Sequence, residues 1–175
     1  MLSSWATMSG EGPPEKLQFT SRKERLLAGL QAGTLAFLTS LLWLLLVSGL
    51  EGRSIWTYPN LLAGLITGAE SFRPHFSTQT LAGLSLHFLS CSLTGTLASQ
   101  VIGLRTRAAA SLGVGILLAT AGYYLADFLI WRNWLPVFAV YSRRLPIFFS
   151  HVLVGLCVGL YSIFVRRDAA LKGRI

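Results

Sequence analysis

The chain has 175 residues, a formal net charge of +8, 53% hydrophobic residues and only 13% charged ones. A water-facing domain carries about 25% charged residues, so much of this surface must meet lipid instead. The basic residues gather at the ends of apolar runs, which suits membrane topology and argues against nucleic acid as a partner.

Residues 1–20 are polar, with Gly10, Gly12, Pro13 and Pro14 among them. They contain no apolar core of the roughly 7–15 residues that a cleaved signal peptide needs, and are read as a flexible cytoplasmic tail. One membrane domain, 21–167, is expected to follow, with a cytoplasmic C-tail at 168–175.

The first span is expected at about 26–50, where Leu41, Leu42, Trp43, Leu44, Leu45 and Leu46 run together. At 1.5 Å per residue a helix of this length exceeds the roughly 30 Å hydrocarbon core. The connection after it, Glu51 to Gln79, contains the apolar stretch Ile55 to Gly68, which is too short to cross. It predicts a short interfacial or re-entrant helix at about 59–70, with Pro59 at its first position and Trp56 and Tyr58 at headgroup level.

Further spans are expected at about 80–104, 108–131 and 146–165. The connection between the last two, with Trp131, Trp134, Pro136 and Tyr141, again has the aromatic character of a membrane interface. The predicted fold class is therefore an all-α integral membrane protein, a four-span transmembrane helix bundle with one short extra helix in its first outer loop. Continuous rather than alternating apolar runs exclude a β-barrel. Ten Lys and Arg residues fall on the side of the two termini and five on the other. That bias places both termini in the cytoplasm and the chain in the cell's inner (plasma) membrane.

Small residues predict where the helices meet. Gly29 and Gly33 form one G-x-x-x-G, and Gly155 and Gly159 another. In the second span Gly83, His87, Cys91 and Gly95 recur every fourth residue and approximate one face, expected to point into the bundle.

Ionisable groups inside a span are costly and need a reason. His87, Asp127 and His151 form the expected polar intramembrane cluster, all within about one helical turn of a common depth near the outer side. His87 and His151 lie on the small-residue faces of their spans, so their imidazoles are expected to approach each other. In one reading each histidine simply hydrogen-bonds a neighbour and Asp127 pairs with Arg132 or another outer base. In a second, His87 and His151 ligate a haem, or one of them a chlorophyll. In a third, the cluster relays protons or cations.

No metal site is expected. Cys91 and Cys157 belong to no C-x-x-C and read as buried thiols. Catalysis is not expected either. Only one aspartate lies in a span, and no G-x-S-x-G surrounds Ser40, Ser85, Ser90 or Ser150. The expected role is a non-catalytic accessory or structural subunit that packs against a membrane-protein partner or another copy of itself. The alternatives are a haem- or chlorophyll-binding subunit and a small proton or ion transporter or channel component.

Overall fold

The computed structural model describes residues 22–68, 74–102 and 106–164. The expected tails at 1–20 and 168–175, and the inner ends of the second and fourth spans at Leu104 and Val165, lie outside the described residues. Within them the chain is helical and contains no strand. The elements are α1 (Arg22–Leu50), α2 (Thr57–Thr67), α3 (Thr78–Val101), α4 (Ala108–Leu125), a π-helical turn continuing α4 (Ala126–Trp131), α5 (Pro136–Tyr141) and α6 (Arg144–Gly159). Four helices are long and apolar enough to cross a membrane: Arg22–Leu50, Thr78–Val101, Ala108–Trp131 and Arg144–Phe164. That is consistent with a multi-pass membrane protein.

The boundaries differ from the sequence expectation where apolarity is a poor guide to helicity. Helix α1 already includes Arg22, the first described residue, ahead of the apolar run, because Arg, Lys and Glu sustain a helix well. Arg25 also has work there. Its guanidinium donates to the carbonyls of Ser99 and Gln100 at the end of α3, and to the Tyr161 hydroxyl beyond α6. One side chain thereby ties α1 to the end of α3 and to the residues that follow α6. Helix α2 starts two residues before Pro59, which takes the third position. A proline is tolerated there because first-turn N–H groups have no acceptor within the helix. At the other end Gly68 takes φ 82° and stops α2 short of residue 70.

The bundle is organised by small residues inside and leucines outside. Along α1, Ala28, Ala32 and Ala36 are fully buried and Ser40, Leu44 and Ser48 continue their row, while Leu42 is 69% exposed and Leu50 79%. This inverts the soluble pattern, as expected where lipid solvates leucine as well as a core would. Close approach and dispersion then hold the helices together. Helix α1 packs along α3 and α6, α4 along α6, and α2 along α3. Gly29 and Gly33 lie against Gly95, Cys91 and Ser92 at the α1–α3 crossing, and Gly155 and Gly159 against Ser111, Leu112, Gly115 and Ile116 at the α4–α6 crossing. Ser111 adds a buried hydrogen bond to the Gly159 carbonyl at 2.7 Å.

Helix α2 is held on α3 by a buried polar chain. Thr80 donates to Asn60 Oδ1 at 2.7 Å and accepts the Ser77 N–H at 3.0 Å, while Asn60 Nδ2 donates to the His75 carbonyl at 3.0 Å. The α1–α2 and α5–α6 connections are joined through Glu51, which pairs with Arg53 and Arg143, and through Arg53, which donates to the Tyr141 carbonyl. Helix α5, absent from the sequence reading, starts with Pro136 at its first position.

Candidate functional site

The packing order around the bundle is α3, α1, α6, α4, and it does not close: α3 and α4 are consecutive in the chain yet barely touch. Between them lies a cavity of about 410 Å³. Leu44 of α1, Pro59 and Leu62 of α2, Ala119 of α4 and Val154 of α6 contribute to its apolar lining. Both His87 and His151 line it as well, with Ser90, Cys91, Thr94 and Ser150. Its mouth lies between α3 and α4, where the wall residues Ser90 and Gly122 are exposed. A Cβ built on Gly122 meets nothing within 4 Å.

One ring nitrogen of each imidazole is held by hydrogen bonds, and His151 Nδ1 has a second, longer contact with Ser150 Oγ at 3.4 Å. His87 Nε2 lies 2.9 Å from Ser40 Oγ on α1. The same hydroxyl lies 2.7 Å from the Ala36 carbonyl. A carbonyl can only accept, so the serine proton goes to Ala36 and His87 Nε2–H donates to Ser40. His151 Nδ1 lies 2.9 Å from the Ile147 carbonyl one turn back, and by the same argument is the donor. In the neutral rings this leaves His87 Nδ1 and His151 Nε2 as uncommitted acceptors. Tyr123 and Trp131 pack edge-on against His151 at 5.4 and 6.0 Å between centroids, and Phe37 packs against His87 at 5.4 Å.

Asp127 is not on this wall. It sits in the π-helical turn, paired with Arg132 at 2.8 Å, and lines a separate outer cavity of about 300 Å³ with Tyr123, Trp131, Ser142 and Arg144. Trp131 and Ile147 border both spaces and partition them. Of the three grouped residues, the structure thus gathers His87 and His151 around one cavity and puts Asp127 in another. Depth along the spans placed all three at one level, but the direction each side chain takes around its helix separates them.

Sequence reasoning missed the contributions of α2 and α5 to the cavity. Tyr58, Pro59, Leu62 and Leu65 of α2 and Phe138 of α5 line its outer end. The Tyr58 hydroxyl is buried without a hydrogen-bond partner. Burial pushes its ionisation above the usual tyrosine range; the Glu51 carboxylate adds to this, and Arg53 and Arg143 oppose it. Among the described residues, no group of three or more His, Cys, Asp or Glu side chains is placed to hold a metal ion. Cys91 and Cys157 are free and buried.

Comparison with protein-family models, with curated proteins and with solved structures finds no match to this chain.

Proposed function

We propose that this chain is a non-catalytic, multi-pass membrane component that holds a lipid-soluble guest in the cavity between α3 and α4, admitting it sideways from the lipid. The observation that carries the reading is the failure of α3 and α4 to close on each other around a space of about 410 Å³. That volume is within the range of about 300–1,000 Å³ usual for small-molecule sites, and an apolar lining with a few polar groups is their usual character. In this reading the termini lie in the cytoplasm and the cavity sits toward the opposite side. The leucine-covered outside is where a membrane-protein partner or a second copy would pack.

The reading is tested with an alkyl-tailed diazirine probe photolysed in proteoliposomes. Labelling is expected to concentrate beside Ser90 and Gly122. The substitution Gly122→Trp, which places an indole in the mouth, is expected to remove it. Labelling spread evenly over the leucines of all four spans would overturn the reading.

A second reading, ligation of haem or chlorophyll by His87 and His151, draws on the two uncommitted imidazole nitrogens at one cavity. It requires a preparation with a Soret band, or a chlorophyll spectrum, that is lost in His87→Ala or His151→Ala.

A further inference from the structure

The polar atoms of the cavity wall restrict the guest more than its volume does. His87 Nε2–H is spent on Ser40 and His151 Nδ1–H on the Ile147 carbonyl. Ser150 is likewise spent on the Ile147 carbonyl, and Ser90 on that of Leu86. What each neutral imidazole still offers is a lone pair, on Nδ1 of His87 and on Nε2 of His151. The Thr94 hydroxyl is spent on the Ser90 carbonyl, and the unpartnered Tyr58 hydroxyl is buried out of contact with the cavity space, so a wall of this kind favours a guest that donates hydrogen bonds over one that only accepts them.

The alternative, a protonated imidazole that would donate to an acceptor, lacks support. A cation in an apolar cavity needs a counter-charge, and Asp127 is paired with Arg132 on the far side of Trp131. The shape of the site is equally restrictive. Trp131 and Phe138, 4.7 Å apart between centroids with their rings tilted by 32°, line the cavity together with Tyr58. Aromatic faces of this kind suit a flat ring. The open side between α3 and α4 leaves a path for a tail into the lipid.

We propose that the cavity binds a lipid-soluble molecule bearing a hydroxyl-substituted ring, of which a long-tailed quinol is the plainest case. His87 Nδ1 and His151 Nε2 accept its hydroxyl hydrogens, and its tail leaves between α3 and α4. This rests on the reading of the cavity as a lipid-accessible binding site and adds the chemistry of the guest. The interaction is binding alone, with no transfer of electrons or covalent bonds.

The experiment compares three probes on the purified full chain in mild detergent under anaerobic conditions, by isothermal titration. The probes are a decyl-tailed benzoquinol, the corresponding quinone, and the dimethyl ether of the quinol. They share a ring and a tail, and only the first can donate. The quinol is expected to bind about tenfold tighter than either of the others, because it alone can make hydrogen bonds to the two imidazoles. In His87→Leu and in His151→Leu the preference for the quinol over the dimethyl ether is expected to fall several-fold. Equal binding of quinol and quinone to the wild type overturns the proposal, and so does a preference unchanged in both variants. If the variants do not fold, the three-probe comparison on the wild type decides alone. Binding of none of the probes overturns the cavity reading itself, whereas binding of all three alike overturns only the assignment of the guest.

Discussion

Gly83 lies directly against the carbonyl of Pro59, so that a Cβ on residue 83 would occupy the space of that oxygen. The contact is backbone on backbone and cannot be relieved by rotating a side chain. It seats the first turn of α2 on α3 and so forms part of the cavity wall, since Pro59 and Gly83 both line it. Gly83→Ala is expected to cost about 3 kcal/mol, the upper part of the range for overpacking. The loss should appear as a lowered midpoint in thermal unfolding in detergent. A variant as stable as the wild type would show that α2 does not sit where the structure has it.

The glycines of α4 provide a control within one helix. A Cβ on Gly115 would strike the Gly155 carbonyl, whereas one on Gly113 meets nothing within 4 Å. Gly115→Ala is expected to lower the unfolding midpoint clearly. Gly113→Ala is expected to leave it unchanged or raise it, because alanine is favoured over glycine in a helix by up to about 1 kcal/mol. Equal effects at the two positions would contradict the α4–α6 crossing.

Thr80 tests the polar seam between α2 and α3. Thr80→Val keeps the shape but removes the donor to Asn60 Oδ1 and the acceptor of the Ser77 N–H. A cost of about 1–3 kcal/mol is expected, as for buried groups deprived of partners. Thr80→Ser, which retains the hydroxyl, should recover most of it. The readout is the same unfolding midpoint, together with faster proteolysis in the 68–77 connection of the valine variant.

Arg25 is expected to matter more than a residue that only marks the cytoplasmic side. Its donors reach Ser99, Gln100 and Tyr161. Arg25→Gln should destabilise by about 1–3 kcal/mol, and Arg25→Lys should recover only part of this, because an ammonium cannot span several acceptors as the guanidinium fork does. A wild-type midpoint in Arg25→Gln would reduce Arg25 to a topology signal.

Topology itself is open to a direct measurement. Reporter tags at the two termini and one inserted after Arg107 are expected to report from the cytoplasm, and one placed after Asn133 from the opposite side. Tags on the two termini that reported from opposite sides would contradict a bundle with an even number of crossings.

Much of the fold was legible in the sequence because membrane spans arise from composition and length alone. A run such as Leu41 to Leu46 has no stable place except lipid or a core, and 24 helical residues, as in Ala108–Trp131, suffice to cross the apolar layer. The packing faces were legible for a related reason. With lipid outside, leucine no longer marks the interior and glycine and alanine do, so Gly29, Gly33, Gly155 and Gly159 could be placed at crossings from their spacing.

What the sequence could not supply was which helices would leave a gap. The turn between α3 and α4 is short, and short turns ordinarily join helices that pack together, yet here α1 and α6 hold α3 and α4 apart. That arrangement depends on several backbone approaches acting together, and no one of them can be read from its own segment. The same limit applied to His87, Asp127 and His151. Their depth came from counting residues, but their bearing depended on how each helix is rotated against its neighbours. Local sequence, then, determined the four long apolar helices and their small-residue seams, because length, apolarity and residue size are properties of each segment alone. Only the tertiary structure decided that two histidines would share a cavity and that the aspartate would be walled off by Trp131, because those relations arise where separate helices meet.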